Sequence, residues 1–292
     1  MLTILAVVAR IVTNPLSNVF QKQLTQRSAD PLFIIAATYG LLTAIALPFL
    51  LGQQLGTLGL VFWANMLTAV VLAVAGNVML VYALRSTDLS VLGPINAYKA
   101  VLSLVLAVIL IGEVPTLFGL LGVMLIVAGS SFVIDRVPGQ ARSSAFLQFA
   151  REPGVRLRFA ALICSATEAV FLKRALLLSS PITTFLLWAV LGFPVAMAAA
   201  LLRSGIADEV MRLGREWRTY LWLTATTGLM QVTTLLTFAK LQVGYSLALF
   251  QLSTLVTVYL GHRYFQEPNI RRRLVGSLIM VIGAMLIVMQ RT

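Results

Sequence analysis

One spaced pattern occurs twice in this chain and constrains its fold more than any other feature. In each copy a glutamate precedes a glycine by nine residues, and a second glycine follows after another seven. The two copies are Glu113, Gly122 and Gly129, and then Glu267, Gly276 and Gly283. Residues 18–22 and 169–173 are also similar to each other, and they lie 151 positions apart. The chain is therefore a duplicated unit of about 150 residues.

The composition places this duplicated unit in a membrane. Hydrophobic residues make up 59% of the chain and charged residues 11%, whereas soluble domains contain roughly a half and a quarter. The apolar stretches have about the 20-residue length of an α-helix that crosses a bilayer. They are continuously apolar rather than alternating, which favours helices over a β-barrel. We therefore expect an all-α membrane protein embedded in the lipid bilayer.

Ten apolar stretches predict ten transmembrane helices, five in each half. They lie near residues 2–25, 31–51, 59–84, 89–111, 114–134, 158–178, 181–202, 218–240, 244–264 and 270–290. Because each half has an odd number of helices, the predicted fold is two inverted five-helix repeats. We place the first repeat at residues 1–135, a basic linker at 136–157 and the second repeat at 158–292. A monomer then suffices to build a cavity between the repeats, and a homodimer is the alternative.

Few residues are available for catalysis or metal binding. The chain has one cysteine, Cys164, and one histidine, His262, so neither a zinc site nor a Ser-His-Asp triad is expected. No nucleotide-binding loop of the GxxxxGK[ST] type occurs. We expect no enzyme activity, no cofactor and no metal. The net charge of +12 does not indicate a nucleic-acid partner, because the basic residues fall between apolar stretches, where they control membrane orientation.

The distribution of these basic residues predicts an orientation. With ten spans, sixteen lysines and arginines, Lys22 and Arg158 among them, fall on the side of the linker, and four, Lys240 among them, fall on the side of the two termini. Cytoplasmic loops carry the excess of positive charge. The bias predicts termini that face outward from a cell membrane, in particular a bacterial inner membrane.

Two charged residues lie deep inside predicted spans. Glu168 is about eleven residues into the sixth span, and Lys99 is near the middle of the fourth. A charge at such depth is costly and marks a functional site by default. Two interpretations stand: the residues bind substrate, with Glu168 also carrying a coupled proton, or they form a static ion pair.

Further polar residues in the spans complete the candidate substrate site. Arg10, Asn14 and Asn18 recur every four residues and therefore share one helix face. Pro15 is expected to interrupt this helix and to free a backbone carbonyl. Arg10 has a second interpretation, in which it extends to the nearby membrane surface. The remaining candidates are the intramembrane amides and one tyrosine, namely Asn77, Asn96, Gln231, Gln251 and Tyr98.

The repeated glutamates and glycines have a structural interpretation. Glu113 and Glu267 each precede a predicted helix, where the positive helix end favours a carboxylate. The glycines that follow are spaced so that each pair lies on one helix face, which is typical of closely packed membrane helices.

Residues 206–217 form a different pattern. Ile206, Val210, Leu213 and Trp217 share one face there, which predicts an amphipathic helix in the membrane interface, with a solvated loop as the alternative.

Several motifs resemble a known transporter family. In the first half they are Leu89-Ser90, Pro94, Ile111-Gly112-Glu113, Gly122 and Leu125-Ile126-Val127-Ala128-Gly129; in the second they are Tyr245-Ser246, Gln266-Glu267, Gly276 and Met280-Val281-Ile282-Gly283. They are similar to the fourth and fifth helices of the EamA domain, the duplicated unit of ten-helix drug/metabolite transporters. The resemblance implies alternating access through a cavity between the two bundles. It also implies cytoplasmic termini, opposite to the charge count.

The favoured function is secondary active transport, as an exporter of a small polar metabolite. The mixture of Arg10 and Lys99 with Glu168 suits a zwitterion such as an amino acid. The alternatives are export of lipophilic cations or drugs, and translocation of lipid.

Overall fold

The computed structural model describes residues 2–53, 55–102, 116–133, 149–202 and 206–289, and every regular element in these ranges is helical. The α-helices are, in chain order, α1 (Leu2–Gln26), α2 (Pro31–Leu50), α3 (Leu60–Ser86), α4 (Leu89–Leu92), α5 (Leu117–Val133), α6 (Pro153–Leu177), α7 (Pro181–Leu201), α8 (Ile206–Arg215), α9 (Trp217–Lys240), α10 (Val243–Phe250), α11 (Ser253–Phe265) and α12 (Ile270–Met289). Short 3₁₀ helices occur at Leu55–Thr57 and Pro94–Ala97.

Four of the described helices are long and apolar enough to cross a membrane. They are Thr3–Gln26 within α1, Pro31–Leu50, Leu60–Ser86 and Pro181–Leu201, and Leu117–Val133 is a shorter apolar helix. The chain is thus an all-helical membrane protein in the part that the structure describes. The count of ten spans stays a prediction.

The second helix of each half begins with an N-cap side chain that is followed by proline. Asp30 caps α2 by accepting hydrogen bonds from the backbone N–H groups of Leu32 and Phe33, and proline occupies the first helical position. Ser180 caps α7 by accepting from Thr183, again followed by proline. These caps satisfy donors that a helix start leaves unpaired. The matched Pro31 and Pro181 of the sequence thus mark matched helix starts.

The most extensive contacts join helices from different halves of the chain. These pairs are α1 with α9, α2 with α7, α3 with α6, and α5 with α12. The pairing follows the order of the predicted spans within each half. The first span of either half packs against the third span of the other half, the second packs against the second, and the fifth packs against the fifth.

The contact between α5 and α12 depends on the repeated glycines. A Cβ atom added at Gly122 would lie 2.6 Å from the carbonyl oxygen of Gly283, and one added at Gly276 would lie 2.6 Å from that of Gly129. Both distances are well below van der Waals contact, so only glycine allows this approach. The prediction that these positions pack helices closely is confirmed.

The helix breaks differ from the prediction. α1 continues through Pro15 without interruption, although we expected a break there. A proline removes one backbone donor, and membrane helices tolerate this loss when neighbouring helices support the segment. The predicted fourth span instead breaks after α4, where Gly93 and Pro94 lead into a 3₁₀ helix. The predicted ninth span divides into α10 and α11.

The predicted amphipathic helix is present as α8 and is tied to the turn between α1 and α2. Arg212 donates to the carbonyl of Arg27 (2.7 Å), and Glu209 accepts from the backbone N–H of Asp30 (3.2 Å). Trp217 lies outside α8, as the first residue of α9. The interface location of α8 stays a prediction.

Candidate functional site

A cavity of about 130 Å³ lies between the helices of the two halves. Its walls come from α1 and α3 of the first half, from α6, α7 and α9 of the second, and from both broken spans. The described lining is rich in charged and amide side chains, among them Arg10, Asn77, Arg158, Glu168 and Gln231. The site is therefore a polar chamber within an apolar bundle.

Nine of the ten predicted site residues line this cavity. They are Arg10, Asn14, Asn18, Asn77, Asn96, Lys99, Glu168, Gln231 and Gln251. Tyr98 is not among the described residues of the lining. Its ring packs edge-to-face on Phe159, with 5.3 Å between the ring centroids. Successive residues of a helix point about 100° apart, so Tyr98 and Lys99 do not share a face.

Arg10 is held inside the cavity rather than extended to the membrane surface. Its Nε donates to Oγ1 of Thr234 at 2.7 Å. Its guanidinium carbon lies 4.9 Å from the ring centre of Phe250, a cation–π contact. Its NH1 is buried and has no hydrogen-bond partner among the described residues. The snorkelling interpretation is wrong, because the side chain is fixed to α9 and α10.

Arg158 is a cavity residue that the sequence analysis missed. We assigned it to the side of the linker, but α6 begins at Pro153, so Arg158 lies one turn inside the helix and is 6% exposed. Its Nε donates to the carbonyl of Leu92 at 3.1 Å, and its NH2 donates to Oδ1 of Asn96. Proline after an acidic residue is a common helix start, and Glu152-Pro153 is the signal that places Arg158 in the span.

The break in the fourth span makes this anchoring possible. In a continuous α-helix the carbonyl of Leu92 would accept from the backbone N–H of Asn96. Here that N–H bonds to the carbonyl of Gly93 at 3.1 Å. The carbonyl of Leu92 is thereby released for Arg158. The discontinuous helix thus supplies a backbone acceptor that anchors a side chain of the cavity, and transporters likewise place broken helices near their substrate sites.

Lys99 and Glu168 lie in the same cavity without a direct ion pair. Glu168 interacts electrostatically with Lys99 and with Arg10, and Lys99 is repelled by Arg158 and Arg10. Within the described residues no salt bridge joins either side chain to a partner. The interpretation of these residues as a static, closed ion pair therefore has no support in the geometry.

Buried amides add further unpaired polar atoms. Nε2 of Gln231 and Oε1 of Gln251 are buried and lack a hydrogen-bond partner in the described part of the chain. Buried polar atoms are nearly always bonded in folded proteins. A donor and an acceptor left open in the same chamber suit a polar ligand.

An ionic cluster lies one helical turn beyond the cavity along α1. Lys22 follows the cavity residue Asn18 by one turn, and its Nζ lies 2.7 Å from Oε1 of Glu267. The same carboxylate accepts from the backbone N–H groups of Leu89 (2.7 Å) and Ser90 (2.8 Å). The cluster therefore ties α1 and the start of α4 to the turn between α11 and α12.

This cluster corrects one prediction and extends another. Lys22 was counted among the basic residues of the loops, but it is 6% exposed and paired. Glu267 lies in the turn before α12, as predicted, but its carboxylate accepts from the backbone N–H groups at the start of α4 in the other half. Its partner in the repeat, Glu113, lies outside the described residues.

Comparison with known proteins agrees with this architecture. The model of the EamA-like transporter family matches residues 1–134. No curated protein sequence matches the chain.

Solved structures add a likeness of fold for nearly the full length. Twenty-two solved chains match the structure. One, described only as the crystal structure of a protein, has a TM-score of 0.62 at 13% identity and covers 96% of each chain. Identity this low shows the fold alone. The EamA-like match suggests a membrane transporter, and the solved structure extends the likeness of fold over both halves.

Proposed function

We propose that this chain is a secondary active transporter of a small polar metabolite such as an amino acid, and that it works as an exporter. The proposed architecture is ten helices in two inverted EamA-like repeats, residues 1–135 and 158–292, that move relative to each other around the cavity. The pairing of each major helix with one from the other half supports this arrangement.

The charge distribution of the cavity carries the proposal. Among the described residues, the lining includes three basic side chains, Arg10, Lys99 and Arg158, and one carboxylate, Glu168. A zwitterion presents complementary groups, because its carboxylate can bind a guanidinium or ammonium and its amine can bind Glu168. A charged residue at this depth is costly and marks a site for a ligand or ion by default.

The volume of the cavity and the positive charge of its lining argue against transport of lipids or lipophilic cations. A volume of about 130 Å³ is close to that of the ~150 Å³ engineered cavity that admits benzene, so it suits a small metabolite rather than a lipid. Its three basic groups oppose a lipophilic cation. Export of lipophilic cations or drugs and lipid translocation are therefore disfavoured.

We also propose that Glu168 carries a coupled proton. It is the one carboxylate among the described residues that line the cavity. A substrate and a proton that compete for the same carboxylate would bind alternately, which is the basis of exchange. We expect no sodium requirement, because α1 is continuous at Pro15 and the carbonyl of Leu92, which the break in the fourth span releases, is already bonded to Arg158.

Transport assays in reconstituted vesicles test this function. The purified chain in liposomes should move radiolabelled amino acids when a pH gradient is imposed and sodium is absent. Glu168→Gln should remove the response to the gradient, whereas Asp208→Asn, a change at an exposed carboxylate on α8, should keep it. Absence of transport for every amino acid tested, with correctly folded protein, would reject the proposed function.

A further inference from the structure

We propose that the substrate is an acidic amino acid, and that Arg158 together with Asn96 binds its second carboxylate. The inference rests on the proposed transport function and adds the substrate class. The observation behind it is Arg158, a further cation that binding of an amino acid with a single carboxylate does not require.

Arg158 has no acidic partner among the described residues. Its two hydrogen bonds go to the carbonyl of Leu92 and the side-chain oxygen of Asn96, both of which are neutral. These bonds fix the guanidinium in place but use only part of its five donors. A buried cation without a counter-charge is costly, and an anion that binds beside it lowers this cost.

The single described carboxylate of the cavity, Glu168, interacts with the other two cations rather than with Arg158. Glu168 interacts with Lys99 and with Arg10, while Arg158 only adds to the positive potential at Lys99. An amino acid with a neutral side chain carries one positive and one negative group, so it leaves the net charge of the cavity unchanged. An acidic amino acid brings an additional negative charge and reduces the excess of positive charge.

The guanidinium groups of Arg10 and Arg158 each come from the first helix of one half, and they are anchored to different helices of the cavity. Arg10, on the first helix, lies over Phe250 at the end of α10 in the predicted ninth span. Arg158, on the first helix of the second half, is bonded to Leu92 and Asn96 in the predicted fourth span. Each half of the chain thus supplies one anchored arginine. The arrangement suits a ligand with a carboxylate at each end and an amine between them, directed to Glu168.

A binding comparison tests the proposal with substrates of matched size. Glutamate with glutamine, and aspartate with asparagine, differ in a single charged group. Binding of each to the full-length protein in detergent would be measured by calorimetry, for the wild type and for Arg158→Gln, Arg158→Lys and Asn96→Ala. Arg156→Gln is the control, because Arg156 lies on the same helix but is exposed.

We expect the wild type to bind each acid roughly 10- to 100-fold more tightly than its amide, as for a hydrogen bond between charged groups. Arg158→Gln should remove most of this preference, Asn96→Ala should weaken it, and Arg158→Lys should keep part of it. Arg156→Gln should leave the preference intact.

The outcomes that overturn the inference are distinct from those that overturn the function. Equal binding of acid and amide by the wild type rejects the acidic substrate and leaves amino-acid transport standing. If Arg158→Gln and Asn96→Ala keep the preference for acid over amide, Arg158 has only a structural role, in which it links α6 to the fourth span. Failure of all four amino acids to bind rejects the inference, and the vesicle assay with other amino acids then decides the function separately.

Discussion

Nζ of Lys22 lies 2.7 Å from Oε1 of Glu267, and both side chains are almost completely buried. The pair joins the last turns of α1 to the turn between α11 and α12, so it links the two halves of the chain. Because Glu267 also binds two backbone N–H groups at the start of α4, a single carboxylate holds three segments together one turn from the cavity.

Breaking this pair should destabilise the protein strongly. Lys22→Met removes the nearer of two cations from the buried Glu267 carboxylate and leaves Arg273, whose NH1 lies 3.8 Å from Oε2; loss of one partner of a buried pair costs about 3–5 kcal/mol. We expect a large fall in the midpoint of thermal unfolding in detergent. Lys240→Met, a change at an exposed lysine, should have little effect. A wild-type midpoint in Lys22→Met would show that the pair does not hold the halves together.

The same carboxylate should make stability depend on pH. Burial opposes ionisation of Glu267, but the charge and hydrogen bond of Lys22 and the bonds from Ser90 outweigh it, so the pKa is lowered. A carboxylate with a lowered pKa contributes stability above its unfolded-state pKa of about 4.3, and this contribution is lost as the pH falls through the lower folded-state pKa.

Unfolding midpoints measured between neutral and acidic pH check this dependence. The wild type should lose stability at the acidic end, and Glu267→Gln should start lower and lose less. Asp208→Asn should follow the wild-type curve. If Glu267→Gln lost as much stability on acidification as the wild type, the acid sensitivity would originate elsewhere.

Much of the helical framework and of the cavity lining is foreseeable from the sequence. Apolar length sets the helices, and the seven-residue glycine spacing places two contacts on one face of α5 and of α12. The depth of Lys99 and Glu168 within apolar spans marks them as polar residues of the interior. These features depend on short stretches of chain, so local pattern is sufficient to predict them.

The corrections concern features that depend on distant parts of the chain. The local helix start at Glu152-Pro153 places Arg158 inside its span, but its anchoring in the cavity depends on the carbonyl of Leu92, which the break at Pro94 releases in a distant part of the chain. Lys22 resembles an ordinary loop lysine until Glu267 of the other half is placed beside it. The intact helix at Pro15 reflects the support of neighbouring helices, which outweighs the loss of one backbone donor.

The glycine contacts predict a local overpacking effect. Gly122→Ala places a methyl group 2.6 Å from the backbone oxygen of Gly283, so α5 and α12 must separate, at a cost of about 1–3 kcal/mol. Gly214→Ala in α8 meets nothing within 4 Å and should be neutral or stabilising. Unfolding midpoints of both variants test this, and equal stability would mean that the helices adjust freely at this contact.

The predicted orientation is tested by cysteine labelling in intact cells. On a Cys164→Ala background, Lys240→Cys should react with a membrane-impermeant thiol reagent, because the basic bias places it outside. Asp208→Cys should stay unlabelled until the cells are opened. Two residues of the larger basic group, Lys22 and Arg158, are buried, which leaves the sign of the bias unchanged. The reverse labelling pattern would establish the orientation that the family resemblance implies.

Paired neutralisation of Lys99 and Glu168 should distinguish substrate handling from a structural role. Lys99→Met and Glu168→Gln each remove one charge that a zwitterionic substrate would contact, so each should reduce transport in vesicles by at least roughly tenfold, the loss expected for one charged hydrogen bond. The double variant restores the charge balance between the two residues. If they bind substrate, it should unfold at a near-wild-type temperature and remain inactive. Asp208→Asn should transport normally. Full transport in the double variant would show that the two charges serve only to compensate each other in the membrane.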